Sequence, residues 1–186
     1  MNDILVGLKN WRKKRNMDNK EFVLDVEISN LLEECAEYLR ADTNYDRIDA
    51  LCDISVFSIN AISYDHIEGD NVLSNCRSIK DELSFKSEED IYFIISKISH
   101  MCELKDDISH ELREILLACV NSVNSLGYDY KKCMIETIKE ISSREQDPKQ
   151  VKEWKEKGIS GKWKKNKNQD KSTLYKANYN SCKFTN

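Results

Sequence analysis

The stretch that decides the fold is DRIDALCDISVFSINAI, residues 46–62. When it is drawn as a helix, apolar side chains fall on nearly every side of it. A helix that is apolar all round belongs in a core, so we expect this segment to lie at the centre of a helical domain. It nevertheless carries two carboxylates and an amide, Asp49, Asp53 and Asn60, within a narrow arc on one face.

The carboxylates of Asp49 and Asp53 need a partner. A buried carboxylate without one costs several kcal/mol or takes up a proton, and Arg47 is the only basic residue in the segment. The pattern therefore indicates a bound cation. The alternative is that Asp49 and Asp53 are N-terminal acids favoured by the helix dipole, an explanation that suits Asp53 less because it lies further into the helix.

The preceding helix, predicted over about 18–41 with Asp18 or Asn19 as its N-cap, supplies more acids. Four polar side chains lie within roughly a quarter of the helical circle, beside the apolar stripe; they are Glu27, Asn30, Glu34 and Glu37. A short polar link over 42–45 would make the two helices antiparallel neighbours whose acids face one another. Taken alone, Glu33, Glu34 and Glu37 would equally suit a solvated helix face.

The donor set of this predicted site is oxygen-only. Carboxylate oxygens suit Mg²⁺, with Mn²⁺ as a substitute, and no nearby His or thiolate cluster indicates zinc. Because Mg²⁺ is commonly completed by substrate phosphates, the pattern predicts a phosphate-bearing substrate.

The composition agrees with helices. Of 186 residues, 40% are hydrophobic and 33% charged, with only five Gly and one Pro, which favours an all-α bundle of one domain. The formal net charge of −4 gives no argument for nucleic-acid binding. The predicted helices cover about 1–16, 18–41, 46–66, 87–102, 107–126 and 130–144, with 71–86 left ambiguous.

The predicted domain limits follow from a change in composition. Asp147-Pro148 is expected to end the last main helix, so 1–148 would form the helical domain. The rest, 149–186, is rich in Lys and spaced aromatics, and we expect a loop-rich tail that packs on the same domain.

The cysteines and the start of the chain bear on location. Seven Cys without a CxxC pair argue against disulfides and zinc. Those inside apolar helical patterns are expected to be reduced core residues; they are Cys35, Cys52, Cys102, Cys119 and Cys133. The first residues lack the apolar run of a signal peptide, and no stretch reaches membrane-spanning length, so the cytoplasm is the expected location.

Two motifs resemble those of a known family. Glu33-Glu34-Cys35-Ala36-Glu37 matches the EExxE motif of MazG-like, all-α nucleoside triphosphate pyrophosphohydrolases. Asp49-Ala50-Leu51-Cys52-Asp53 departs from the usual ExxD, because Ala50 stands where the family has Glu, and is similar to a DALxD variant of some phage members. Segments 127–144, 161–163 and 174–179 resemble the family's later helix and tail. Residues about 67–126 look like a helical insertion relative to compact members.

The resemblance implies a reaction and a set of roles. An activated water would attack the α-phosphorus of a (deoxy)nucleoside triphosphate and release pyrophosphate, with Mg²⁺ bridging the carboxylates and the triphosphate. The metal ligands would be Glu33, Glu34, Glu37, Asp49 and Asp53, and Glu34 or Glu37 would be the catalytic base. The resemblance also implies a homodimer or a dimer of dimers.

Substrate contacts are expected from basic, amide and aromatic residues. Lys139, Arg144 and Lys162 would balance the phosphate charge, unless they are solvated surface side chains. Asn60 would bond a ribose or base, or else a neighbouring helix. Trp163 or Tyr175 would stack on the base or pack in the tail. Lys176, within the family-like tail segment, completes the predicted substrate-binding set.

Two other functions stay open at this point. A non-catalytic helical interaction module would keep the apolar helices but show no Mg²⁺-dependent stability. Weak binding of single-stranded nucleic acid through Lys162-Trp163-Lys164-Lys165-Asn166-Lys167 is also compatible with basic and aromatic residues, although the run is short and the chain acidic.

Overall fold

The computed structural model describes residues 2–15, 17, 23–64, 87–104, 108–157 and 165–185. Its helical content confirms the all-α prediction, and within these ranges β-structure is limited to two isolated bridges, Tyr128 with Lys183 and Gln146 with Lys165. The α-helices among the described residues are α1 (Asn2–Lys14), α2 (Leu24–Arg40), α3 (Asn44–Tyr64), α4 (Ser87–Glu103), α5 (Ser109–Ser125), α6 (Tyr130–Ser143) and α7 (Pro148–Lys157).

Four of the helices form a closed bundle. Helix α2 packs on α3 and α4, and α5 packs on the same two helices, so each member of the ring touches two others. Helices α1 and α6 pack on each other and on α3. The range 67–126, expected to be an insertion, thus contains α4 and α5, which complete this core; residues 65–86 lie outside the described residues.

Helix α3 is the central element, as its all-round apolar pattern predicts. Its core side chains are buried; they are Ile48, Ala50, Leu51, Cys52, Ile54, Val56, Ile59, Ala61 and Ile62. Two buried hydroxyls on the same helix are satisfied locally, because Ser55 donates to the carbonyl of Leu51 at 2.8 Å and Ser58 to that of Ile54 at 2.9 Å. Among the described helices, none combines the length and hydropathy needed to cross a membrane.

The start of α3 lies inside the polar link. The Thr43 hydroxyl accepts from the backbone N–H of Asp46 at 3.2 Å and donates to the Asp46 carboxylate at 2.5 Å. This reciprocal cap satisfies a free N–H of the first turn and lets the helix begin at Asn44, earlier than predicted. The expected N-caps of α2, Asp18 and Asn19, lie outside the described residues.

Helix α7 corrects one prediction. Residues from Lys149 onward were expected to be loop-rich, yet Pro148–Lys157 is helical. Asp147 accepts from the N–H of Lys149 at 2.9 Å, and Pro is favoured in the first helical turn, where its missing N–H is not needed. The Asp-Pro pair therefore starts a new helix as well as following the end of α6.

Helix α1 holds the end of α6. The buried Arg15 guanidinium donates to the carbonyl of Ile141 at 2.8 Å and to that of Arg144 at 2.6 Å, and the Trp11 indole also donates to Ile141 at 3.2 Å. A cation at a helix C-terminus satisfies free carbonyls and complements the helix dipole. The basic end of α1 thus fixes the segment of α6 that carries Arg144.

The cysteines largely follow the prediction. Cys35, Cys52, Cys119 and Cys133 are buried thiols. Cys102 was expected in the core, but it lies exposed on the outer side of α4. Its thiol donates to the carbonyl of Ile98 one turn earlier, a local bond that needs no core environment.

A first prediction concerns the end of α5. Gly127 has φ +89°, and the N–H groups of Gly127 and Tyr128 bond to the carbonyls of Asn124 and Val123, which is the Schellman arrangement. A Cβ at Gly127 would meet nothing within 4 Å, so Gly127→Ala isolates the backbone strain. We expect the free energy of unfolding, measured in urea, to fall by about 1 kcal/mol. Ser125→Ala, on the exposed last turn, is the control, and an unchanged Gly127→Ala protein would refute the assignment.

Candidate active site

The packing of α2 on α3 brings acids of both helices into one electrostatic neighbourhood. Burial raises the pKa of Glu34 on α2 to about 8, and the negative charge of Asp53 on α3 adds to that rise. Smaller contributions come from Glu37, Glu33 and Asp49. The other four residues predicted to bind metal therefore all act on the Glu34 carboxyl group.

Burial raises the pKa of the acids Asp49 and Asp53 on α3 as well. Burial raises the pKa of Asp53 to about 7, with a further rise from Asp49 and an opposing effect from the Arg144 guanidinium. Burial also raises the pKa of Asp49, although a hydrogen bond from Tyr179 works in the opposite direction. Helix α3 thus holds two carboxyl groups that release their protons less readily than a solvated Asp.

The carboxyl group of Glu34 has an oxygen whose hydrogen-bonding capacity is not satisfied. Its Oε2 atom is buried and has no hydrogen-bond partner among the described residues. A buried polar oxygen left without a donor carries most of its desolvation cost. Glu33 and Glu37 are exposed beside it, so the site grades from a dry interior to a solvated rim.

Helix α6 and its C-cap contribute an ion pair, of which Arg144 was predicted and Glu140 was not. Arg144 donates to Glu140 at 2.8 Å. Burial lowers the pKa of Arg144, but the bond to Glu140 and the charges of Asp53 and Asp49 raise it overall, so this guanidinium stays charged. Arg144 is therefore the cation that faces the acids of α3.

The end of the chain also reaches the site. The Tyr179 side chain is fully buried, and its hydroxyl donates to Asp49 Oδ1 at 2.7 Å. The hydroxyl of Thr137 on α6 lies 2.9 Å from the same Tyr179 oxygen. Burial raises the pKa of Tyr179 far above its usual range, so the phenol remains a neutral donor.

The remaining predicted substrate contacts are dispersed. Asn60 is buried and its Oδ1 accepts from Arg12 at 2.7 Å, so it joins α3 to α1, the second of its two predicted roles. Lys139 pairs with Glu136 at 2.5 Å, outside the acidic cluster. The Lys176 ammonium lies 5.4 Å from the ring of Tyr45 at the start of α3. Lys162 and Trp163 lie outside the described residues.

Two residues of the site were missed in the sequence. Glu140 stands one turn before Arg144, and this spacing is typical of ion pairs on a helix, so the assignment of Arg144 could have led to it. Tyr179 had no such signal, because nothing local to residues 174–182 indicates a contact with a residue 130 positions away.

The carboxylates are close but do not form a closed cage. In the part of the chain that the structure describes, no three Asp, Glu, His or Cys side chains are arranged to hold a metal ion as they stand.

Comparison of the chain with family models, curated proteins and solved structures finds no match.

A second prediction follows from the raised pKa values. A carboxyl group that holds its proton more tightly in the folded chain stabilises that chain at low pH, and this contribution is lost as the pH rises through the folded pKa. Without divalent cations, the free energy of unfolding should fall between about pH 5 and pH 8 as Glu34 and Asp53 lose their protons, by at least about 1.4 kcal/mol, the equivalent of a tenfold change in proton affinity. Urea titrations at several pH values measure it.

Glu34→Gln should flatten this decline, because the amide carries no proton to lose. Glu33→Gln is the matched control, since Glu33 is the exposed neighbour on the same helix. An equal decline in the wild-type and Glu34→Gln proteins would show that Glu34 is not the buried acid described.

Proposed function

We propose that this protein is a Mg²⁺-dependent nucleotide pyrophosphohydrolase, which cleaves a (deoxy)nucleoside triphosphate to the monophosphate and pyrophosphate. The observation that carries the proposal is the pair Glu34 and Asp53, two carboxyl groups from neighbouring helices whose pKa values are raised to about 8 and about 7. The EExxE and DALxD motifs that contain them supply the reaction class by resemblance.

The donor set fits a hard divalent cation. It consists of carboxylate oxygens, one of which, Glu34 Oε2, is buried without a hydrogen-bond partner. A cation would neutralise the charges that burial disfavours, and Mg²⁺ accepts such ligands while keeping sites for water and phosphate oxygens. Glu34, Asp49 and Asp53 would hold it from the interior, with Glu33 and Glu37 at the exposed rim.

The cation would polarise the phosphate oxygens and lower the pKa of the attacking water. The chain's own residues supply the rest. Glu34 or Glu37 would accept the proton of that water. Arg144, which stays charged beside Asp53, would oppose the negative charge of the triphosphate. Lys176, exposed beside Tyr45, is available for the same purpose.

The assembly belongs to the proposal as well. The resemblance implies a homodimer or a dimer of dimers, and the cysteine pattern suits the cytoplasm. Leu32 and Leu39 are exposed at 44% and 53%, and their spacing puts them on one side of α2. An apolar side on the helix that carries Glu33 and Glu37 suits contact with a second copy.

A third prediction separates this function from a non-catalytic interaction module. A cation that binds only the folded chain raises its stability, by about 2.7 kcal/mol at one hundred times the dissociation constant. Mg²⁺ should therefore raise the melting temperature, and more so at pH 8 than at pH 6, because protons compete for Glu34 and Asp53.

Asp53→Asn should lose most of this response. Asp42→Asn, which removes an equal charge from the exposed link between α2 and α3, should keep it. No response in the wild-type protein at either pH would favour the interaction module.

A fourth prediction tests the reaction itself. The protein is incubated with a panel of NTPs and dNTPs and Mg²⁺, and pyrophosphate is detected. We expect pyrophosphate with at least one member of the panel, and a loss of at least about 100-fold in Asp53→Asn, as when a charged group at a reaction centre is removed. Asp42→Asn should stay within about twofold. Release of single phosphate would overturn the reaction class, and full activity of Asp53→Asn would overturn the site.

A further inference from the structure

The C-terminal segment 174–182, here named the strap, lies along the acids of α6. The backbone N–H of Ala177 donates to Glu140 Oε2 at 2.8 Å, and that of Asn178 donates to Glu136 Oε2 at 2.9 Å. The hydroxyl of Tyr175 also donates to Glu136. Two carboxylates of α6 therefore hold the strap through its main chain and through one side chain.

The strap is also joined to α3. The hydroxyl of Tyr45 donates to the carbonyl of Ala177, and the ring of Tyr45 lies 4.9 Å from that of Tyr179. Residues 177 and 178 are thus bonded to two helices, and the next side chain, Tyr179, enters the core. Its ring is buried completely.

In the hydrogen bond between Tyr179 and Asp49, the phenol is the donor. A phenol has a single proton, and an ionised carboxylate only accepts, so the bond of 2.7 Å runs from Tyr179 to Asp49 Oδ1. The Thr137 hydroxyl donates either to the Tyr179 oxygen or to the carbonyl of Cys133, at 2.9 and 3.0 Å. Thr137 thus anchors the phenol to α6 and leaves its proton for Asp49.

We propose that Tyr179 is a positioning residue for the cation site, an inference that rests on the proposed function. By engaging one oxygen of Asp49, it fixes the rotation of that carboxylate and leaves the other oxygen to the cation. Hydrogen bonds to ligating carboxylates commonly tune a metal site in this way. The strap then acts on the site without contributing a ligand of its own.

The acids that contact the strap differ from those that would hold the cation. Glu136 is paired with Lys139 and with two donors of the strap, and Glu140 with Arg144 and the Ala177 N–H. Glu34 Oε2 has no such bond among the described residues. Asp49 belongs to both groups. It is one of the predicted ligands on α3, and it also accepts a hydrogen bond from Tyr179 of the strap. The strap would therefore act on the cation site by orienting the Asp49 carboxylate.

The test compares Tyr179→Phe with Tyr45→Phe in the full-length chain. Both remove a single hydroxyl that binds at the strap, but only Tyr179 touches a carboxylate of the site. Binding of Mn²⁺ and of Mg²⁺ is measured by isothermal titration calorimetry at pH 8, and folding by circular dichroism. We expect Tyr179→Phe to weaken binding about 10–100-fold, the usual effect of losing such a partner, and Tyr45→Phe to change it less than about twofold.

Each outcome decides the inference. Equal affinity in the wild-type and Tyr179→Phe proteins, with binding lost in Asp53→Asn, overturns the role of Tyr179 and leaves the proposed function standing. Equal weakening in both Tyr→Phe variants also overturns it, because general docking of the strap would then be responsible. If the wild-type protein binds neither cation, the proposed function fails and this inference fails with it.

Thr137→Val gives a second route if Tyr179→Phe does not fold. It is nearly isosteric and removes the anchor of the phenol without touching Asp49. We expect a weakening between those of the two tyrosine variants, and no weakening would overturn the inference.

Discussion

Helix α3 packs against α1, α2, α5, α6 and the C-terminal 3₁₀ turn Tyr179–Cys182, and this enclosure governs the chemistry of every polar group on it. Asp49 and Asp53, which lie on this helix, lose water on burial at a cost that raises the pKa of both. The neutral groups avoid the cost, since Ser55 and Ser58 bond to carbonyls of their own helix. The carboxylates cannot do so, because a carboxylate needs a donor and the helix interior offers carbonyls only. The packing around α3 therefore leaves its buried carboxylates in need of a hydrogen-bond donor or a cation.

The acids of α6 and those of the α2–α3 interface differ in their hydrogen-bond partners. On α6, Glu136 and Glu140 receive main-chain N–H groups and pair with Lys139 and Arg144. These acids are satisfied, and their role is to hold the strap. On the α2–α3 interface, Glu34 keeps a buried oxygen without a partner. The contrast separates acids that receive hydrogen bonds within the fold from an acid that does not, and an unsatisfied buried acid is a candidate for a functional role.

The sequence predicted what depends on helical periodicity. The burial of α3 and the common side of Asp49 and Asp53 follow from spacing within one helix, and the short link predicts the pairing of α2 with α3. Contacts between distant segments were out of reach: Tyr179 meets Asp49 only because the strap crosses α6. Helix α7 was missed for a local reason, since Asp147-Pro148 can both follow one helix and open the next. Cys102 was misplaced because an apolar pattern does not say which side of α4 faces outward.

Protons and cations compete for the same oxygens in such a site. A carboxyl group with a pKa near 8 is mostly protonated at neutral pH, and a divalent ion must displace that proton before it binds. The fold thus supports two states, one in which protons neutralise the α2–α3 interface and one in which a cation would do so. The strap contacts this interface through Asp49, whose Oδ1 accepts a hydrogen bond from the Tyr179 hydroxyl. Under the proposed function, docking of the strap would therefore help to align Asp49 for the cation.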